Sequence, residues 1–212
     1  AQIQFFIFGI SMVTSFSINA AGVPTLNEIT VRPNSKKLIG FANSANEGTV
    51  LKQQLDARTV YRPGELLETV PGLIVTQHSG EGKANQYFLR GFNLDHGTDF
   101  RISVDGMLVN QRSHGHGQGW ADTNFIIPEL MGNLQYLKGP YYANQGDFSS
   151  AGAVSMNYID KLPKGIASYG LGQQGFMRGL VTKSHEVGAG NVLYAVELLT
   201  KDGPWVKHED FK

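Results

Sequence analysis

The chain has 212 residues, and its 18 Lys plus Arg balance 18 Asp plus Glu for a formal net charge of zero. That balance excludes a protein that tracks nucleic-acid phosphates with a clustered basic surface, so no nucleic-acid partner is expected. Cysteine is absent, which excludes a disulfide scaffold, a thiolate metal site and a Cys nucleophile and leaves metal chemistry to the histidines and carboxylates.

The first residues run Ile3 to Ile18 as an apolar stretch, shorter than the roughly 20 residues of a membrane-spanning helix. It ends in the small residues Asn19-Ala20-Ala21-Gly22. Residues 1–21 therefore read as a secretory signal peptide that has lost its first few residues. Residues 22–45 have no sustained apolar face and are punctuated by Pro24, Pro33, Asn34, Ser35 and Gly40. A mobile exported segment is expected there. Within it, Glu28-Ile29-Thr30-Val31 is a short β-prone run.

From residue 46 the pattern becomes globular. Residues 51–57 predict a short helix. Pro63 opens a second, with Leu66, Leu67 and Val70 on one face, and Pro71-Gly72 stops it. Strands are predicted over residues 73–76, 86–90, 100–104, 107–109, 134–138 and 153–158. Asp105-Gly106 supplies a tight turn between the third and fourth. Pro128 to Met131 predicts a short helical turn. With 26 glycines, against the roughly 15 of an average composition, the unit reads as a small α+β domain with long loops, spanning 46–165. Residues 166–173, 176–183 and 191–200 predict three further strands, and Val192, Tyr194, Val196 and Leu198 alternate strictly in the last. Segments of this length joined by turns match the pattern of a transmembrane β-barrel. The final residues, from Trp205 to Lys212, carry no stop signal, so the chain reads as cut short.

Four pieces of this stretch resemble the plug domain of TonB-dependent outer-membrane receptors. They are Leu66-Leu67-Glu68-Thr69-Val70-Pro71-Gly72-Leu73, Tyr87-Phe88-Leu89-Arg90-Gly91-Phe92, Ile102-Ser103-Val104-Asp105-Gly106-Met107-Leu108-Val109, and Leu134-Gln135-Tyr136-Leu137-Lys138-Gly139-Pro140 with Gly146, Gly152 and Val154 after it. They stand in the family's order and at its spacings. Two departures occur: Lys138 stands where the family usually has Arg, and Ala151-Gly152-Ala153 replaces its paired glycines.

The resemblance implies an α+β plug followed by the first antiparallel strands of a transmembrane β-barrel, here 166–212. It implies a ligand-gated receptor for active uptake of a scarce ligand, an iron-siderophore or a metal, and not an enzyme. It implies the outer membrane of a Gram-negative bacterium, with lipid around the barrel, the plug inside it and the N-terminus periplasmic. Glu28, Ile29, Thr30 and Val31 are then similar to a TonB box. Such a segment pairs by strand addition with TonB, which is coupled to its inner-membrane energising complex. Pro71, Gly72, Arg90, Gly91, Asp105, Gly106, Lys138, Gly139 and Pro140 become gate or structural positions, with Arg90, Asp105 and Lys138 expected to pair with the barrel wall. The 47 residues after 165 supply about three spanning strands, whereas a closed single-chain barrel takes about eight or more. The chain is thus read as the front part of a longer transporter.

The ligand is addressed by two loops. One is Arg112-Ser113-His114-Gly115-His116-Gly117-Gln118-Gly119-Trp120-Ala121-Asp122; the other is Asp95-His96-Gly97-Thr98-Asp99. His78 lies in a third. Alternating His on a glycine-rich loop, with a carboxylate from its neighbour, suits a metal ion or metal chelate as transported ligand. The candidate contacts are Asp95, His96, Asp99, His114, His116 and Trp120; no resident cofactor is expected. Two alternatives carry weaker marks. A signalling-type receptor would need an extra folded domain before the box. An exported metal hydrolase using His96, His114 and His116 would need a general base and a cleft, and no HExxH helix or G-x-S-x-G elbow is present.

Overall fold

The computed structural model describes residues 40–77 and 82–203. The signal-peptide stretch, the Glu28 to Val31 box, His78 and the end of the chain from residue 204 lie outside the described residues. Among the described residues, twelve strands, one short α-helix and three short 3₁₀ segments follow in chain order.

β1 (Phe41–Ser44) and β2 (Glu47–Leu51) lead into α1 (Lys52–Asp56) and then into a 3₁₀ segment, Pro63–Thr69. The sequence predicts an ordinary helix at the latter position. Pro71 explains the difference: it forces Val70 into an extended conformation with ψ of 120°. Seven residues between two prolines close i→i+3 bonds only, as in Val70 N–H to the Leu67 carbonyl at 2.9 Å. The apolar face is nonetheless as expected, since Leu66, Leu67 and Val70 are all buried.

β3 (Leu73–Thr76), β4 (Gln86–Leu89) and β5 (Phe92–Asn93) form a small antiparallel sheet. Next come β6 (Phe100–Val104), β7 (Met107–Leu108), a 3₁₀ turn at Pro128–Leu130, β8 (Met131–Lys138), a second such turn at Ala143–Gln145, and β9 (Gly152–Tyr158). Strands β1, β2, β8, β9, β6 and β7 line up in that order as one mixed six-stranded sheet, parallel only between β6 and β9. β1 falls within the segment read from the sequence as mobile. It is an edge strand with every residue exposed, so its composition carries no core signal. One buried cluster joins the two sheets and the Pro63–Thr69 segment, with Leu66, Leu67, Tyr87, Phe100, Ile102, Ile126, Leu134 and Met156 at its centre.

β10 (Ile166–Leu171), β11 (Met177–Val187) and β12 (Gly190–Thr200) form a separate antiparallel sheet. Its two faces differ. Tyr169, Val181, Val196 and Leu198 are exposed apolar residues on one. Register brings Val181 opposite Ala167 and Val196, and Gly179 between Tyr169 and Leu198. Leu180 and Thr182, one residue away from these, are buried. This alternation is the barrel-strand pattern of apolar outside and packed inside. The sheet stays open here, and three strands close no barrel.

Candidate functional site

Two segments build the site. The first is the exit from the β4–β5 hairpin. Arg90 and Gly91 turn that hairpin with φ of 54° and 82°, the left-handed pair that matches strand twist. Beyond it, the Asn93 side-chain oxygen accepts the Asp95 N–H at 2.8 Å. Gly97 and Thr98 both return their N–H groups to the Leu94 carbonyl, at 3.0 and 3.1 Å. This reversal leaves Asp95 exposed and turns His96 inward, where it is 3% exposed.

The second segment is closed by an antiparallel bridge between Gln111 and Trp120. Gln111 N–H reaches the Trp120 carbonyl at 2.9 Å, and Gly119 N–H reaches the Gln111 carbonyl at 2.8 Å. Residues 112–119 form the loop. The Thr98 hydroxyl donates to the Gln118 carbonyl at 3.1 Å, and Ala121 N–H donates to the His96 carbonyl at 2.8 Å. Those two bonds tie the second segment onto the first. An exposed Arg112–Asp147 ion pair, 2.6 Å long, holds its outer end.

Trp120 is buried and gathers three imidazoles. His114 stacks on it with centroids 4.3 Å apart and planes 14° from parallel. His96 and His116 approach at 4.6 and 4.9 Å, and lie 4.7 Å from each other, edge to face. The polar atoms separate their roles. His96 Nδ1 lies 3.0 Å from the Ala84 carbonyl and 3.1 Å from that of Asn85. Carbonyl oxygens only accept, so Nδ1 carries a proton and the lone pair of the neutral ring falls on Nε2. That Nε2 is 3.7 Å from Asp95 Oδ1. His114 is used differently: its Nδ1 accepts the His116 N–H at 3.1 Å. Asp95, His96 and His116 each place one donor atom so that all three lie within 4.8 Å of one another. His114 and Asp99 stay outside this trio. His114 closes the loop turn on the face of Trp120, and Asp99 accepts the Ser150 hydroxyl.

Sequence reasoning missed the residue that holds both segments. Asn110 is 3% exposed. Its Oδ1 accepts the Ile102 N–H at 2.7 Å. Its Nδ2 donates to the carbonyls of Gly97, Phe100 and Gly119 at 2.8, 3.0 and 3.1 Å. One carboxamide thus joins β6, the Asp95–His96 turn and the end of the 112–119 loop. Tyr87 adds a lower tie, its hydroxyl donating to the Ala121 carbonyl at 2.9 Å. Burial above all holds that phenol well above the ordinary tyrosine range.

The positions expected to form the gate make contacts inside the plug. Arg90 donates to the Asn46 side-chain oxygen at 3.0 Å and returns its N–H to the Gly72 carbonyl at 2.8 Å. Asp105 accepts the Tyr158 N–H at 3.0 Å, and Gly106 completes its turn with φ of 78°. Lys138 is 5% exposed. Its ammonium lies 3.4 Å from the Pro71 carbonyl and 5.4 Å from the Tyr136 ring centre. Burial, and then the charge of Arg90, hold it below the usual lysine range. Gly139 N–H donates to the Ala151 carbonyl at 2.7 Å, ahead of Pro140. One contact with the last sheet comes from an unforeseen pair. Arg178 of β11 forks onto Glu129 at 2.6 and 2.9 Å and also holds Glu197 of β12.

The family model described as the TonB-dependent Receptor Plug Domain matches residues 42–153, more than half of the chain. Solved structures agree on the fold. The copper transporter OprC matches at 19% identity with a TM-score of 0.56, over 77% of this chain and 25% of its own. The ferric enterobactin receptor PfeA of Pseudomonas aeruginosa matches at 16% identity and 0.56, over 76% of this chain and 26% of its own. The siderophore receptor PirA of Acinetobacter baumannii matches at 18% and 0.55, over 75% and 25%. The chain therefore spans about a quarter of the length of these structures.

Proposed function

Because the chain belongs to the TonB-dependent receptors through its plug domain, we propose that it is part of an outer-membrane receptor that imports a scarce metal or metal chelate through a plugged barrel. Members of that family are transporters rather than enzymes, so the hydrolase alternative is set aside. The observation that carries the reading is the junction between the two kinds of sheet. A plug sheet meets, through the Arg178–Glu129 fork, antiparallel strands whose other face is exposed and apolar. Such a face suits lipid, and the wide lumen of a roughly 22-stranded barrel needs a plug of this kind. The copper and ferric-siderophore relatives support a metal-containing ligand.

In this reading Glu28 to Val31 is the TonB box. It adds as a strand to TonB on the periplasmic side, and ligand bound outside shifts the plug between two states. The test is uptake by cells carrying the intact receptor gene, measured with labelled iron-siderophores, copper and zinc. Accumulation of one ligand is expected, and it is expected to vanish when residues 28–31 are deleted or TonB is removed. Accumulation that survives both changes refutes energised transport through this chain.

A further inference from the structure

We infer that Asp95, His96 and His116 form a binding site for a divalent first-row transition-metal ion on the plug. The inference deepens the uptake reading by naming the ligand chemistry, and rests on that reading only for what the metal does there.

Three features carry it. The donor set is two imidazole nitrogens and one carboxylate oxygen, all within 4.8 Å of one another. Imidazole with carboxylate suits zinc, copper(II), iron(II) or nickel, and the absence of thiolate and thioether at the trio disfavours copper(I). Second, His96 is already oriented as a metal-binding histidine is. Its Nδ1–H is held by the carbonyls of Ala84 and Asn85, which fixes the ring and puts the Nε2 lone pair on the side of Asp95. At 3.7 Å, that nitrogen and the carboxylate oxygen lie close enough to serve as neighbouring donors to one cation. Third, the remaining adjustment is small and falls on an element that can make it. Metal bonds of about 2.1 Å place tetrahedral donors roughly 3.4 Å apart. The Asp95–His96 pair is near that already. The widest separation must shrink by somewhat more than 1 Å, and His116 is an exposed side chain flanked by Gly115 and Gly117.

Three protein donors leave at least one coordination position for water or for a chelating ligand. The shared chemistry is a divalent ion with an exchangeable position, whether it arrives bare or chelated.

The test is calorimetric titration of the intact receptor in detergent with zinc chloride, repeated with zinc citrate. One saturable zinc per receptor is expected in at least one arm. Binding in the chloride arm only indicates the bare ion; undiminished binding in the citrate arm indicates a chelate. Asp95→Asn and His116→Asn alter exposed side chains and are each expected to weaken that binding at least tenfold. His114→Asn is the control. Its side-chain oxygen can still accept the residue-116 N–H while the imidazole is lost, and binding is expected to stay within about threefold of the parent. Copper(II) loaded at the site is expected to show superhyperfine coupling from two nitrogens, reduced to one in His116→Asn. No saturable binding in either arm, equal weakening by His114→Asn and His116→Asn, or no effect of His116→Asn overturns the site. Uptake is scored separately: a receptor that binds zinc at this trio yet transports nothing keeps the site and loses the transport reading.

Discussion

Asn110 gives the sharpest check on how the site is held. Its carboxamide is buried and spends one oxygen and one nitrogen on four backbone groups. Two Nδ2 hydrogens serve three carbonyls, so one bond is shared. Asn110→Ala strands the Ile102 N–H and the carbonyls of Phe100 and Gly119. The Gly97 carbonyl keeps a second donor, the Phe100 N–H at 3.3 Å. A stranded buried group costs about 1–3 kcal/mol. Partial access of water to the vacated volume brings the expected loss to about 3 kcal/mol, which is roughly a hundredfold in local opening.

Asn110→Asp separates this account from a simple count of lost atoms. It keeps the oxygen that accepts Ile102 N–H, so a count makes it the milder change. Electrostatics says the reverse, because a carboxylate oxygen would face three carbonyl oxygens at 2.8–3.1 Å in a buried place. The aspartate is expected to open the site more than the alanine at neutral pH. Its carboxyl would be favoured in the protonated state by the fold, so its folded pKa would stand above its unfolded one. The folded state then binds the extra proton, and the deficit shrinks as pH falls toward the unfolded carboxyl value. The assay is amide hydrogen exchange of the intact receptor, read on peptides covering residues 97–102 and 110–121, each pH referenced to the parent protein. An Asn110→Asp receptor as protected as Asn110→Ala at neutral pH, or an alanine variant exchanging less than fivefold faster, refutes the reasoning.

Glu129→Gln removes the charge that Arg178 grips. The two side chains are 32% and 24% exposed, between a surface pair and a buried one, so a loss of about 1–2 kcal/mol is expected, read as faster exchange over residues 128–138. Burial works to raise the Glu129 carboxyl, but the Arg178 hydrogen bonds and charge outweigh it and hold the group below the usual carboxylate range. Its stabilising contribution is therefore complete at neutral pH and is lost as pH falls through that depressed value; a Glu129→Gln receptor with unchanged acid sensitivity counts against the fork. Gly97→Ala and Gly106→Ala form a matched pair. At Gly97, with φ of 121°, a Cβ would lie 2.6 Å from the Gly119 carbonyl oxygen and 2.8 Å from Ala121 Cβ, whereas at Gly106, with φ of 78°, it meets nothing within 4 Å. The first change is expected to cost about 3 kcal/mol and the second about 1, measured as protease susceptibility of the plug, and equal losses would contradict the crowding at the site.

What the sequence made legible was what is local. β6 and β7 flank Asp105-Gly106, a turn signal that announces its own hairpin, and both strands stand where they were expected. β12 carries alternation long enough to declare itself. β2 does not, because Glu47-Gly48-Thr49-Val50-Leu51 gets its reason to be a strand from β8, some 82–90 residues later in its register. β5, two residues long, is too short for any period. The same division runs through the site. Histidine and glycine density drew attention to the two loops, but which imidazoles meet was set by Trp120 and by backbone carbonyls at Ala84 and Asn85. Asn110 had no mark of its own, being one more polar residue at the start of a polar loop. Arg178 and Glu129 lie 49 positions apart, and nothing local to either one points to the other.

The order of the large sheet limits how a signal from the loops could reach the N-terminal segment. The loops hang from β6 and Asn110 near one edge, and β1, which continues from the N-terminal segment, forms the other. Between them stand the β6–β9, β9–β8 and β8–β2 pairings, each running over five to seven residue pairs. Among the described residues β1 has only β2 as a partner, every residue of it is exposed, and its register slips between Ala42 and Ser44. Free energy of opening is lowest where a strand has one partner and no buried side chain. A plug that moves is therefore expected to peel β1 from β2 before any break inside the sheet. Phe41 and Thr49 face each other in register, and directly opposed strand residues have Cα atoms close enough for a disulfide. This chain has no cysteine of its own, so Phe41→Cys with Thr49→Cys introduces the sole pair within it. Oxidised, the receptor is expected to bind its ligand as before and to transport at less than a tenth of the parent rate, with recovery on adding reductant. Full transport in the oxidised state would place the first movement elsewhere than at the β1 edge.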